Sequence, residues 1–252
     1  MMDREPAVNG GGLAALKNVG RLMVLVETLI DRNLHLPGFG VFHGFSGFGK
    51  SYASIYAQNK TRALRVEVGD SWTRKTFLEN LLVEADVKPG RSTIPELTRL
   101  AIMALGDDIT RPLIIDEADK LADKSMLELV RELQEHSQVP VLLIGEEQLP
   151  AKLMKVERVH NRVLEWVPAE PCDIEDARAL ASLFCPELEI MDDLLDVLVD
   201  RTEGRARRIV VNLNKIKEYA RNTRETGFDA ASFSKGWFYT GEPPRRNARR
   251  VA

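Results

Sequence analysis

Apolar positions along the chain follow two spacings, one typical of helices and one typical of buried strands. Residues 13–32 place apolar side chains three or four positions apart, which predicts an amphipathic helix. Five short apolar runs follow, and each predicts a strand. They cover residues 39–43, 63–68, 112–115, 139–144 and 163–167. The third and fourth runs are continuously apolar, as expected for parallel strands buried on both faces.

Helical patterns separate the predicted strands. They cover residues 50–59, 74–85, 95–105 and 125–136. This alternation predicts an α/β fold in which helices flank a parallel sheet. After Pro168 we expect no further strands, and the remaining patterns predict helices only, at residues 173–184, 192–202 and 205–224.

These patterns predict four segments. They are a disordered leader at residues 1–12, an α/β subdomain at 13–170, a small all-helical subdomain at 171–235 and a basic tail at 236–252. The leader carries three consecutive glycines and no periodicity. The tail carries Pro243, Pro244 and four arginines, which predicts a flexible segment.

Composition narrows the class of protein. Hydrophobic residues make up 44% of the 252 residues, and a chain of this length can form a hydrophobic core without disulfide bonds or structural metals. Two cysteines, Cys172 and Cys185, exclude a disulfide-built scaffold. No apolar run approaches the roughly 20 residues of a membrane helix, and no signal-peptide pattern is present. We therefore expect a cytoplasmic protein with no membrane partner.

The net charge of −3 conceals an uneven distribution. Residues 170–200 contain ten acidic residues and one base, whereas residues 201–224 contain eight bases and two acids. The tail adds Arg245, Arg246, Arg249 and Arg250. The chain is therefore not a wholly basic nucleic-acid binder, but its C-terminal end is basic.

A glycine-rich segment after the first predicted strand fits the pattern G-x-x-x-x-G-K-[ST] completely. It consists of Gly44, Phe45, Ser46, Gly47, Phe48, Gly49, Lys50 and Ser51, and Tyr52 follows it. In such a loop, backbone amides wrap the phosphates, the lysine reaches the β- and γ-phosphates, and the hydroxyl binds Mg²⁺. A chance glycine-rich turn is the alternative, but the flanking strand and helix favour an ATP site.

Two acids end the third predicted strand. Asp116 is expected to hold Mg²⁺ together with Ser51, and Glu117 is positioned to polarise a water against the γ-phosphate. The alternative is a solvated loop that merely carries acids. Asp119 and Lys120 continue the loop, and we expect both to be exposed and assign no role to either.

The phosphate loop, the "IIDEAD" strand end and the Gly-x-x-Arg sequence at residues 204–207 resemble the AAA+ ATPases. Within that class the chain resembles the transposition regulators of the phage Mu B protein type over residues 13–225. The segments that carry this resemblance are "VEVGDSWTRKTFLENLL", "VLLIGEEQLPAKL" and "TEGRARRIVVNLNKIKEYA". The resemblance implies a P-loop AAA+ sheet followed by a helical lid.

The resemblance also implies further site residues. The γ-phosphate sensor falls at Glu146, where the family more often has Asn, Thr or Gln, and Glu147 or Gln148 are alternatives. Arg158 and Arg162 are candidates for an arginine that reaches the nucleotide of the next subunit, with Arg162 slightly favoured.

The second sensor of this class falls on the small subdomain. Arg207 matches the lid arginine near the γ-phosphate, and Arg205 and Arg208 then point to DNA or a neighbour.

The resemblance implies contacts with duplex DNA from Trp72, Thr73, Arg74 and Lys75, and the basic tail adds Arg245 and Arg246 as candidates. Such contacts would grip phosphates without reading sequence. The alternatives are that Trp72 is a packed aromatic residue, that the basic side chains of Arg74 and Lys75 are only solvated, and that the tail only improves solubility.

The leading hypothesis is an ATPase that assembles on DNA as a filament or ring and delivers it to a transposase. The alternatives are an initiator or helicase loader, and a secretion motor without a DNA role.

Overall fold

Five parallel strands form the main sheet. They are β1 (Phe39–His43), β2 (Leu64–Glu67), β3 (Leu113–Asp116), β4 (Val141–Gly145) and β5 (Val163–Pro168). Their order across the sheet is β2-β3-β4-β1-β5, and every neighbouring pair is parallel. All residues of β3 and β4 are buried, as expected for their apolar runs, and the burial includes the carboxylate residue Asp116 at the end of β3. The predicted α/β class is confirmed.

The structure is a computed structural model and describes residues 16–234 and 237–242. The chain divides into two units, of which the first is Lys17–Glu170 and the second contains the described residues from Pro171 onward. The predicted leader at residues 1–12 and the arginines Arg245, Arg246, Arg249 and Arg250 lie outside the described residues.

Helices flank the sheet of the first unit. They are α1 (Lys17–Ile30), α2 (Lys50–Thr61), α3 (Arg74–Glu84), α4 (Ile94–Gly106), α5 (Asp119–Asp123), α6 (Leu127–Ser137), α7 (Leu149–Met154) and α8 (Glu157–His160). The sequence pattern did not predict α5, α7 and α8, because one or two turns are too short to show a helical period.

The second unit contains α9 (Ile174–Phe184), α10 (Asp192–Thr202) and α11 (Ala206–Thr223). It also contains two short strands, β6 (Glu189–Ile190) and β7 (Gly227–Phe228), which pair in parallel. The expectation of a purely helical C-terminal part was therefore wrong. Two-residue strands offer no alternation from which a sequence pattern could predict them.

Two further sequence expectations concern cysteines and membranes. Both cysteines are buried, and burial raises the pKa of the Cys185 thiol to about 11. Among the residues that the structure describes, no helix combines the length and apolar character needed to span a bilayer.

Residues 237–242 are attached to α11 through one buried amide. Asn212 Nδ2 donates to the Tyr239 carbonyl at 2.9 Å, and Asn212 Oδ1 accepts from the Tyr239 amide at 2.8 Å. Trp237 adds to the attachment, since its ring stacks on Phe233 at 4.2 Å and lies 4.3 Å from Lys215 Nζ. The side chain of Asn212 thus forms hydrogen bonds with both backbone groups of Tyr239, as a neighbouring strand would.

Replacing Asn212 by alanine should release this segment. The change leaves two backbone groups of Tyr239 without partners, each worth about 1–3 kcal/mol if it stays buried. We expect faster amide hydrogen exchange over residues 237–242, measured by mass spectrometry. Asn214→Ala on the exposed side of α11 is the control and should leave exchange unchanged. Equal exchange in both variants would contradict the anchoring role.

Candidate phosphate-binding site

The loop of residues 44–51 joins β1 to α2 at the carboxyl edge of the sheet. Gly47 and Gly49 have φ angles of +91° and +81°, and Gly49 caps α2 in the left-handed conformation. Glycine adopts such angles without strain, whereas other residues rarely do. Successive amides in this conformation form a concave anion site, and the positive end of α2 adds to it. The loop therefore provides a cradle suited to phosphate.

Lys50 lies at the first position of α2, and its amine folds back over the loop. Lys50 Nζ donates to the carbonyls of Gly44 at 2.6 Å and Phe45 at 2.9 Å. An ammonium group has three donors, so one proton is left for an anion. Lys50 is thus held in place by the loop that it would help to charge.

The amine of Lys50 is partly buried and lies in the field of several acidic side chains. Burial lowers the pKa of the Lys50 amine, and four carboxylates oppose this lowering. From the strongest they are Glu146, Asp116, Glu117 and Glu147. His43, at the end of β1, also has a lowered pKa because of burial and the charge of Lys50.

Asp116 and Glu117 stand at the end of β3. Asp116 is buried, and its Oδ1 accepts the Glu117 amide at 3.0 Å while Oδ2 lies 2.7 Å from Arg65 Nη2. The side chain of Glu117 is 42% exposed, and its φ of +56° is left-handed. Such an angle costs a non-glycine residue about 1–3 kcal/mol. The structure thus separates a buried, fixed carboxylate from an accessible one.

Lys120 holds the accessible carboxylate. Its amine lies 3.6 Å from Glu117 Oε2 and 3.4 Å from Asp70 Oδ1. Desolvation opposes protonation of this amine, but the charges of Glu117 and Asp70 outweigh it and raise the pKa of Lys120. The expectation that Lys120 is exposed was wrong, because its side chain is only 27% exposed and the fold brings Asp70 to it from 50 residues away.

The residues present fit a magnesium–phosphate ligand. In the described part of the chain, no group of three or more His, Cys, Asp or Glu side chains is arranged to hold a metal by itself. Mg²⁺ in phosphate sites commonly takes only one or two protein oxygens and completes its shell with phosphates and water. Ser51 is exposed at the start of α2, and Asp116 Oδ1, which accepts the Glu117 amide, keeps a further lone pair.

The loop after β4 is ordered by Asp119, which we expected to be exposed. Asp119 is instead buried, and its Oδ2 accepts the Glu146 amide at 2.7 Å. A Cβ on Gly145 would lie 2.2 Å from that oxygen, so this close approach requires glycine. Lys152 Nζ lies 3.7 Å from the other oxygen. The side chains of Glu146 and of the alternatives Glu147 and Gln148 are all exposed.

The two candidate inter-subunit arginines differ in their partners. Arg162 Nη2 lies 3.0 Å from Glu135 Oε1, and Arg162 Nη1 donates to the Arg158 carbonyl at 2.8 Å. The side chain of Arg158 is exposed. Arg162 is therefore occupied inside its own unit, and the slight preference for it over Arg158 is not supported by this geometry.

The three arginines predicted in the lid lie at the start of α11. Arg207 is exposed. Arg205 Nε and Arg208 Nη1 lie 3.1 Å and 3.3 Å from the same oxygen of Glu203. This shared carboxylate offsets part of the positive charge that we expected to face DNA.

The predicted DNA segment surrounds the start of α3. The ring of Trp72 lies over Gly69 and packs against the core, so this residue takes the packing alternative. Thr73 caps α3 and accepts from the Thr76 amide. Arg74 donates to the Ser125 carbonyl at 3.0 Å, and Lys75 is half-exposed, 3.8 Å from Glu79 Oε1. This segment is exposed apart from Trp72 and is tied to the region that follows Glu117.

Two residues of the site were not predicted. Asn18 is buried, and its amide donates to the carbonyls of Phe48 at 2.8 Å and Glu170 at 2.7 Å. Arg65 contacts Asp116, as described above. Each interrupts an apolar pattern, Asn18 on the buried face of α1 and Arg65 within β2, and this interruption is the signal that could have identified them.

Removing the Asp119 carboxylate should destabilise the loop after β4. Asp119→Ala leaves the Glu146 amide without its partner, and we expect a loss of about 1–3 kcal/mol in the free energy of unfolding. Urea unfolding followed by circular dichroism measures it. Asp123→Ala is the matched control, because Asp123 also pairs with Lys152 but is 57% exposed, and a loss below about 0.5 kcal/mol is expected. Equal losses would contradict this role of Asp119.

Comparison with known proteins agrees with this geometry. Residues 32–153 match the family described as an AAA domain. No curated protein sequence matches the chain. Among solved structures, Cdc6p from Pyrobaculum aerophilum matches with a TM-score of 0.62 and 15% identity, over 88% of this chain and 66% of that protein.

Two Aeropyrum pernix proteins are also similar. The ADP form of ORC2 has a TM-score of 0.63 at 15% identity and covers 86% of this chain and 71% of its own. ORC1, solved in complex with DNA, has a TM-score of 0.57 at 17% identity, over 85% and 62%. The chain thus spans 62 to 71% of the length of these three proteins. With the AAA domain match and the parallel sheet, these similarities show that the chain has the α/β P-loop fold of AAA+ proteins.

Proposed function

We propose that this protein is an ATP-switched, DNA-binding ATPase of the initiator or helicase-loader type. One observation carries the ATPase part. The phosphate cradle, the amine of Lys50 and the pair Asp116–Glu117 converge at one edge of a parallel sheet. This edge is where parallel α/β sheets bind their ligands.

Each residue of the edge has a distinct task in this proposal. The loop amides and Lys50 bind the phosphates of ATP, and Ser51 and Asp116 hold Mg²⁺, which neutralises charge on those phosphates. Glu117, whose side chain is 42% exposed, accepts a proton from the attacking water. Glu146 occupies the sensor position, where an ionised carboxylate cannot donate a hydrogen bond. The backbone amide of Glu146 is therefore better defined than the Glu146 side chain as a feature of the sensor position.

A homo-oligomer completes the site in this proposal. Of the two arginines before β5, Arg158 is exposed while Arg162 pairs with Glu135, so we assign the inter-subunit role to Arg158. An arginine in that role stabilises charge on the transferring phosphoryl group. Arg207 is the proposed lid arginine of the same subunit.

Two substitutions test the ATPase directly. Lys50→Ala should weaken ATP binding at least about 10-fold, because it removes the charge at the cradle. Glu117→Gln should bind ATP as the unaltered chain does but hydrolyse it about 100-fold more slowly or worse, since the amide cannot accept the proton. Equilibrium binding of a fluorescent ATP analogue and phosphate release measure the two effects.

Matched controls are Lys60→Ala at the exposed end of α2 and Glu218→Gln on the exposed side of α11. Both should bind and hydrolyse ATP normally. Normal hydrolysis by Glu117→Gln would overturn the assignment of the base, and absence of ATP binding by the unaltered chain would overturn the proposed function.

DNA binding is supported by the exposed segment that starts α3 and by the similarity to ORC1, which was solved with DNA. Thr73, Arg74 and Lys75 are proposed to contact phosphates. The charges of Asp70 and Lys120 connect this segment to Glu117, which gives bound DNA a route to influence hydrolysis.

The double substitution of Arg74 and Lys75 by alanine should weaken binding to duplex DNA measured with a slowly hydrolysed ATP analogue. A plot of log affinity against log salt concentration has a negative slope, and its magnitude should become smaller by about 2, because each phosphate contact contributes about 1. The control removes the same charge through Lys60→Ala and Arg62→Ala and should leave the slope unchanged. A slope unaffected by the first pair would exclude this segment as the DNA contact.

Delivery of DNA to a transposase remains a second proposal. It is supported by the three segments that resemble transposition regulators, whereas the names of the similar solved structures favour an initiator. Stimulation of hydrolysis by a transposase, compared with stimulation by a replicative helicase, separates the two proposals.

A further inference from the structure

Arg65 lies in the middle of β2 and points into the proposed metal site. Its side chain is 13% exposed. The guanidinium contacts three side chains. Nη2 lies 2.7 Å from Asp116 Oδ2 and 3.2 Å from Glu67 Oε2, and Nε donates to Ser54 Oγ at 2.8 Å.

Ser54 connects this guanidinium to the phosphate loop. Ser54 is fully buried on α2, and its hydroxyl oxygen lies 2.7 Å from the Ser51 carbonyl, to which it donates its proton, and 3.4 Å from Asp116 Oδ2. The same oxygen is therefore an acceptor for Arg65. Arg65 thus reaches both residues proposed to hold Mg²⁺, Asp116 directly and Ser51 through Ser54.

Asp116 depends on Arg65 for its charge balance. The side chain of Asp116 is 4% exposed, and a buried carboxylate without a partner is strongly unfavourable. Among the described residues, Arg65 is the base in ion-pair contact with it. Glu67 is 61% exposed, so water screens most of its competition for the guanidinium.

We propose that Arg65 is the resident counter-ion of Asp116 and lowers the affinity of the site for Mg²⁺. The proposal rests on the proposed function of this site. A metal held by Asp116 must share that carboxylate with a cation already in place, and like charges near one carboxylate repel each other. Arg65 would therefore keep the metal exchangeable while it keeps the site formed without metal.

Two opposing effects determine what loss of Arg65 does. Loss of one hydrogen bond loosens the orientation of Asp116, which weakens metal binding. Loss of the positive charge leaves a buried carboxylate unpaired, which strengthens metal binding. Asp116 retains the Glu117 amide and its burial beside β2 and β4, so its orientation is largely kept. The charge effect should therefore prevail.

The experiment compares ADP affinity with Mg²⁺ and with EDTA by calorimetry on the full chain. The ratio of the two dissociation constants measures how strongly the metal supports nucleotide binding. Arg65→Gln should increase this ratio at least about 10-fold. Arg65→Lys keeps the charge and should stay within about 3-fold of the unaltered chain. Arg62→Gln, which changes an 81% exposed arginine, is the control and should not change the ratio.

Thermal unfolding provides a second measurement if Arg65→Gln lowers stability. Mg²⁺ with ADP should raise the unfolding midpoint of this variant more than that of the unaltered chain, each relative to ADP in EDTA. An unchanged or smaller ratio and an unchanged or smaller midpoint shift would overturn the counter-ion role. An unaltered chain that binds no ADP would overturn the proposed function itself.

Discussion

The parallel alignment of β1, β3 and β4 is the constraint on which the site depends. Their ladders place His43 opposite Gly145 and Ile115 opposite Leu143, so all three strands end at one edge. Because β3 and β4 are buried on both faces, a slip in register would place polar groups in the core. Segments far apart in sequence therefore meet at the end of the sheet.

Charges at this edge are balanced by the protein itself. Lys50 donates to carbonyls of its own loop, Asp116 pairs with Arg65, and Asp119 accepts the Glu146 amide. Buried charges without such partners are costly. A ligand bound at this edge would therefore share partners with the groups of the protein itself.

The fold class and the phosphate loop were predictable from the sequence because both are determined locally. Apolar runs predict buried strands, and the spacing of the glycines and Lys50 predicts the backbone conformation of the phosphate loop. The partners of single charges were not predictable. Glu135 reaches Arg162 from another helix, and Glu203 pairs with both Arg205 and Arg208. The contact of Asp119 with the loop after β4 likewise arises only from the tertiary fold, and the pairing of β6 with β7 is too short to leave a pattern.

The ion pairs of Lys120 connect the loop before α3, which carries Asp70, to Glu117 at the end of β3. Lys120 can neutralise Glu117 and Asp70 at once only while the loop before α3 stays in place. Arg74 and Lys124 reinforce that position, since each donates to a backbone carbonyl across the same gap. Phosphates bound beside Arg74 would bring negative charge toward Lys120 and compete with Glu117 for it. Glu117 would then be free to act as a base, and its left-handed backbone already holds it in an uncommon conformation. In the proposed mechanism, one lysine would therefore join DNA binding at the surface to hydrolysis, without any rearrangement of the sheet.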